Sequence, residues 1–225
     1  MLNELATRCV TDRHDLEILW SIHNYLSETI GNPGDIVVLG APDLRIPAWI
    51  AACADELSAN RSVILFDPFS KVRTAPKDCQ NVDLSTLETN SQDGITNLTD
   101  FCQRNVIPEP IVVAGWFSDT LKKNFPPSVC FAHVDCGFFK EILEATWFIE
   151  ESLSPGGCAL IHGYGSGWVP CIQKAVDVAL ANRPEEAQIV LHNTVGKHAL
   201  IRRKGGSGPE PDFLEKIDVE DEPDE

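Results

Sequence analysis

The sequence predicts an α/β fold: a doubly wound, mostly parallel seven-stranded sheet that ends in an antiparallel hairpin. Three observations carry this expectation. Short apolar runs bounded by turn residues recur along the chain, as in "DIVVLG" (35–40), "SVILFD" (62–67) and "IVVAG" (111–115). Such runs mark strands buried on both faces. Helical periodicity fills the gaps between them, and parallel strands need such crossovers. The last two apolar runs, "AQIVLHNTV" and "HALIRRK", are separated only by Gly-Lys and read as a hairpin.

Taken in order, residues 12 to 30 form an amphipathic helix with Leu16, Leu19, Trp20, His23, Leu26 and Ile30 on one face, ended by "GNPG". The first strand (35–40) leads into the helical "PAWIAACADELS", and the second (62–67) ends in an acid. "GITNLTDFCQRN" is helical, the third strand is 111–115, and "SDTLKKNF" is a short helix. "VCFAHVDC" (129–136) is the fourth strand. It is followed by the helix "FKEILEATWFIEESL", with Ile142, Ala145, Trp147 and Ile149 among its apolar positions. A Pro-Gly-Gly turn precedes the fifth strand, "CALIHGY", and "CIQKAVDVALANR" is the last helix before the hairpin. The chain divides into an N-terminal helical cap (1–33), one main domain (34–204) and a tail (205–225).

Composition narrows the function classes. The chain has 225 residues, 43% of them hydrophobic and 23% charged, as in ordinary globular proteins. No apolar run approaches the roughly 20 residues of a membrane span, and "MLNELATRCVTDRHDLE" is too charged for a signal peptide, so the expected address is the cytoplasm. Eight cysteines include no C-x-x-C pair, and several sit in apolar runs, which predicts reduced, mostly buried thiols. The net charge is −16, and the tail, with nine acids and one Lys, supplies −8 of it. That tail reads as a disordered, solvating segment. An acidic body without a basic patch disfavours nucleic acid. The expected partner is a small molecule, with no membrane; a homo-oligomer stays open.

In sheets of this kind ligands bind beyond the carboxyl ends of the strands. The residues there are Gly40, Asp67, Gly115 to Ser118, Asp135 and His162, with Tyr164 in the glycine-rich stretch "HGYGSGW" that follows the fifth strand.

Several motifs at these positions resemble the macrocin O-methyltransferase (TylF-like) family of class I S-adenosylmethionine-dependent methyltransferases, a Rossmann-like fold. They are "PGDIVVLG", "ILFDPF", "GWFSDTL" (115–121), "FAHVD" (131–135), "LSPGGCALIHGYG" (153–165) and "CIQKAVD" (171–177), spread from about residue 12 to 204. The resemblance implies O-methylation of a hydroxylated small molecule of the natural-product or sugar type, with S-adenosylmethionine as cofactor. It assigns the cofactor to Gly40, Asp67, Gly115, Trp116 and Phe117. Asp67 would accept two hydrogen bonds from a ribose diol, and Trp116 and Phe117 would flank the adenine.

The pattern also departs from the family. A Glu of its first strand is Val38 here, and a pair of glycines is replaced by Leu44 and Arg45. Those side chains either fill space where backbone meets the cofactor, or Arg45 clamps an anion. The family's metal-binding carboxylates are reduced to Asp135, with His162 in the place of another. One carboxylate and one imidazole are a poor magnesium site, so no metal is expected. The fourth and fifth strands should be neighbours about 4.8 Å apart. Asp135 and His162 would then meet, either as a catalytic base with Tyr164 beside it or as a structural pair. The other function class left open is a methyltransferase fold without methyl transfer: a binding or partner subunit, or a metal-free acid–base or pericyclic catalyst.

Overall fold

The computed structural model describes residues 1–10, 16–57, 60–69, 93–166, 169–181, 189–194 and 198–203, with 189–194 described as backbone only. Its elements run α1 (Leu2–Cys9), α2 (Leu16–Thr29), β1 (Asp35–Leu39), α3 (Arg45–Glu56), β2 (Val63–Asp67), α4 (Gly94–Asn105) and β3 (Ile111–Ala114). They continue with α5 (Phe117–Asn124), β4 (Val129–Val134), α6 (Phe139–Ser152), β5 (Leu153–His162), α7 (Pro170–Ala181), β6 (Ile189–Thr194) and β7 (His198–Arg203).

The sheet order is β3-β2-β1-β4-β5-β7-β6. The first five strands pair in parallel, and β7 is antiparallel both to β5 and to β6. Strands β4 and β5 are neighbours, as the sequence implies, with Val134 opposite Ile161. From β1 the chain winds outward through β2 and β3, then crosses back to β4 on the other side. That reversal leaves a crevice at the carboxyl tips of β1 and β4.

Period-2 alternation divides the core in two. Ile36 and Val38 of β1 face Leu19, Ile22 and Leu26 of α2 and Trp49 of α3. Val37 and Leu39 face the other way, toward Ile142 and Ile149 of α6 and Val176 of α7. Both faces of β1 are therefore buried, which is why its sequence is apolar without alternation. Helices α1 and α2 share the first of these cores, through Leu2, Leu5, Ile18 and Leu19. The Trp49 indole N–H adds a 2.9 Å hydrogen bond to the Leu19 carbonyl, tying α3 to α2.

Several local expectations change. The buried face of α2 is Ile18, Leu19, Ile22 and Leu26, and Leu16 is exposed, because the stripe is rotated from the predicted one. Trp147 of α6 is likewise exposed, and its neighbour Thr146 is buried, donating to the Ile142 carbonyl at 2.7 Å. Helix α1 falls within the helical cap expected over 1–33, ahead of the helix expected at 12 to 30. Strand β5 begins at Leu153, ahead of the Pro-Gly-Gly segment, with the β4 register shifting between Val129 and Phe131. Helix α4 ends on Val106 in the left-handed region (φ 55°, ψ 49°), with the Ile107 N–H bonded to the Cys102 carbonyl at 2.9 Å. Glycine usually occupies that capping position. The seven described cysteines are free, and six of them are buried. Cys79, Trp168 and residues 205–225 lie outside the described residues.

Candidate functional site

The tips of β1, β2 and β4 converge because their backbones are hydrogen-bonded to one another beyond the strands. The Gly40 N–H donates to the Phe66 carbonyl at 2.8 Å, and the Asp135 N–H to the Leu39 carbonyl at 2.9 Å. Gly40 has φ +80°, and a Cβ there would lie 2.6 Å from the Asp135 carbonyl oxygen. Only glycine allows the two tips to close this far. The Gly115 N–H reaches the Asp67 carbonyl at 3.0 Å, bringing the end of β3 to the same edge.

Between these tips is a small cavity. Gly40, Pro42, Asp67, Pro68, Trp116, Phe117, Asp135, Cys136, Phe138 and Glu141 contribute to its wall. Six of the eight predicted site residues are at this edge: Gly40, Asp67, Trp116, Phe117 and Asp135 line the space, and Gly115 abuts it. His162 and Tyr164 are not among the described residues that line it.

Asp67 is the centre of the cluster. Its side chain is buried, with Oδ1 accepting the Phe69 N–H at 2.7 Å and Oδ2 the Ala41 N–H at 2.8 Å. Burial pushes its carboxyl pKa up, those two backbone donors pull it back, and the charge of Asp135 raises it again. Glu141, in the first turn of α6, faces the same space. Burial, then the charges of Asp67 and Glu144, push its carboxyl up to about 7. Such a group changes protonation near neutrality, as a general acid or base must. Burial and the same carboxylates hold the Cys136 thiol far above its ordinary range, so it is protonated and inert.

The other half of the carboxyl edge is organised differently. His162 Nδ1 faces His198 Nε2 at 3.2 Å, because β5 and β7 pair with these residues opposite each other. His133 is also buried, its ring centroid 6.0 Å from that of His198. These histidines alternate in step with Phe131, Leu160 and Leu200, so all three sit on the face toward α1–α4. The Tyr164 hydroxyl donates to Asp177 Oδ1 of α7 at 2.8 Å. Burial and that carboxylate push its pKa up to about 12, far from the range of a base at neutral pH. Among the described residues, no group of three or more His, Cys, Asp or Glu side chains is arranged to hold a metal ion.

Leu44 and Arg45 face away from the cavity. Leu44 packs against the core beneath α1–α4. Arg45 Nε donates to Asp43 Oδ1 at 3.0 Å, and its Nη1 reaches the Val10 carbonyl. Crowding at the β1 tip comes instead from Pro42, Pro68 and Phe138. The sequence reading missed Glu141 and His198. Their positions were available, since α6 starts just past the β4 tip and an antiparallel β7 begins where β5 ends.

The cavity lined by the described residues is about 30 Å³, where one water needs about 10–15 Å³. A ligand-sized pocket is about 300–1,000 Å³. Among the described residues, Asp67 offers a ribose-type acceptor, and the small cavity they line does not itself hold S-adenosylmethionine.

Strand order, crossover helices and the cleft at the β1/β4 switch point define the class I methyltransferase fold. Solved structures agree. The chain is similar to the O-methyltransferase NovP, at 17% identity and a TM-score of 0.72 over 85% of this chain and 81% of that one. It is also similar to the calicheamicin methyltransferase CalS11, at 17% identity and a TM-score of 0.69 over 89% of this chain and 83% of that one. A third is an O-methyltransferase from Bacillus cereus in complex with SAH, at 12% identity and a TM-score of 0.56 over 89% of this chain and 88% of that one. No protein-family model matches the chain, and no curated protein matches it in sequence. No described helix is long and apolar enough to cross a membrane.

Proposed function

We propose that this protein is a TylF-like member of the small-molecule O-methyltransferase type, acting on a hydroxylated compound without a metal, with a donor cleft that is closed at rest. The observation that carries this is Asp67: a buried carboxylate at the β2 tip, in the cleft of the fold, with both oxygens already accepting backbone N–H groups. A ribose diol has to displace or share those donors and also open a space of about 30 Å³. Affinity for S-adenosylmethionine is accordingly weak. The dissociation constant expected from calorimetry is above roughly 100 µM, less than about 5.5 kcal/mol of binding free energy. A low-micromolar constant would overturn the closed cleft. Added EDTA leaves that binding and the thermal stability unchanged, whereas a requirement for magnesium would refute the metal-free reading.

One observation favours a second reading, a methyltransferase fold repurposed for metal-free acid–base chemistry. Glu141 is poised near pH 7 in the same cleft as Asp67 and Asp135. A reaction of that kind proceeds without any methyl donor and follows the titration of Glu141; methyl transfer stops when the donor is withheld.

A further inference from the structure

The backbone outlier at the cleft is Phe69. Its φ of +46° places it in the left-handed region, which is disfavoured about tenfold for a residue with a Cβ. Two attachments hold it there. Its N–H donates to Asp67 Oδ1 at 2.7 Å, and its ring is buried in the core that contains Ile46, Trp49 and Leu98. Pro68, between the two, forms part of the cleft wall. The other oxygen of Asp67 holds the Ala41 N–H, so one carboxylate fastens the turns after both β1 and β2. Strain of this sort persists only where the surroundings over-determine it, and it concentrates at sites that change conformation.

We propose that the turn Asp67–Phe69 is a strained latch holding the cleft shut, and that Phe69 thereby sets how tightly the cleft takes a vicinal-diol ligand of the nucleoside type. The proposal rests on the reading of Asp67 given above and adds the element that moves. When Phe69 relaxes to extended backbone, its N–H leaves Oδ1 and Pro68 withdraws from the cleft wall. The freed carboxylate oxygen then accepts a ligand hydroxyl. A ligand that binds only the open form has its intrinsic dissociation constant divided by the open fraction. A shut latch thus weakens binding while every contact of the open form is retained.

Two substitutions separate ring anchorage from backbone strain. Phe69→Ala and Phe69→Gly both remove the ring, but only glycine adopts positive φ without penalty. The alanine variant keeps the strain without the anchor and opens; the glycine variant stays shut. After correction for intrinsic rates, the residue 69 amide is expected to be protected from hydrogen exchange about tenfold more in Phe69→Gly than in Phe69→Ala. Adenosine, titrated calorimetrically, should bind Phe69→Ala about tenfold tighter. Equal protection in the two variants overturns the latch, whatever adenosine does. Tenfold different protection with no adenosine binding keeps the latch and overturns the nucleoside ligand. In the unmodified protein the Phe69 amide should exchange at least tenfold faster than that of Gly40, which is bonded to the Phe66 carbonyl at the sheet edge. Equal protection of those two amides refutes the latch even if neither variant folds.

Discussion

The two halves of the carboxyl edge carry polar residues of similar kind and use them differently. At the β1, β2 and β4 tips, Asp67, Asp135 and Glu141 surround a small cavity. At the β5 and β7 tips, His162 is matched with His198 and the Tyr164 hydroxyl with Asp177. The first half keeps its carboxylates facing a common space, where burial and mutual repulsion push Asp67 and Glu141 upward. In the second half the described contacts join one protein side chain to another. A polar residue at a strand tip is therefore a site only where the neighbouring tips leave it something to face.

Asp67→Ala should break the comparison hardest. It leaves the Ala41 and Phe69 N–H groups without their acceptor, at about 1–3 kcal/mol for each buried donor. About 4 kcal/mol of stability should be lost, a fall in Tm of roughly 8–16 °C, together with any diol binding. Retained stability would mean that water replaces the carboxylate and that the tips are not fastened by it.

Glu141→Gln tests the same half through pH. The carboxyl is raised from 4.5 to about 7 in the folded protein. Between those values the folded state holds a proton that the unfolded state has released. Stability from this group is full below about pH 4.5 and falls as pH rises toward 7. Removing the charge should leave stability at pH 4 unchanged and raise it at pH 8 by up to about 3 kcal/mol, measured by denaturant unfolding. Parallel pH profiles for the two proteins would show that Glu141 is solvated.

For the second half, Tyr164→Phe should cost about 1.5 kcal/mol, the worth of a hydrogen bond to a charged acceptor. Adenosine affinity should not change. A tenfold loss of affinity would move Tyr164 into the ligand site and erase the contrast.

The smallest effect should come from Val106→Gly, remote from both halves. Val106 shares the left-handed backbone of Phe69 but is 82% exposed, with no ring anchored in the core. Relieving the strain at this helix end should stabilise the protein by about 1 kcal/mol and leave ligand affinity alone. Thermal unfolding and the adenosine titration check both halves of that statement.

Much of the fold was legible because β1, β2 and β4 are buried on both faces, so "DIVVLG", "SVILFD" and "VCFAHVDC" announce themselves without reference to partners. Helix α1, inside the expected helical cap, was not legible as a helix of its own, since its eight residues, Leu2–Cys9, bury only one side through Leu2, Leu5, Ala6 and Cys9. Gly40, Asp67 and Asp135 were legible as cleft-lining residues because strand-end position alone puts them there. What sequence could not supply was the second imidazole: His198 of β7, 36 positions beyond His162, faces it at 3.2 Å. Nor could spacing show which way Leu44 and Arg45 point, since that depends on how Asp43 turns the chain into α3: the Arg45 N–H donates to Asp43 Oδ1 at 3.0 Å.

The placement of β7 between β5 and β6 also bears on how the chain matures on the ribosome. The inner edge of β5, from Cys158 to His162, is satisfied only by residues His198 to Arg202. Translation at about 5–20 residues per second leaves that edge waiting roughly 2–7 s for its partner, a row of open N–H and C=O groups on an apolar strand. Such an edge is a template for joining other chains. The interval between the fifth strand and the seventh is thus the stage of synthesis at which this protein is most exposed to aggregation, and slower elongation across residues 163–197 would lengthen it.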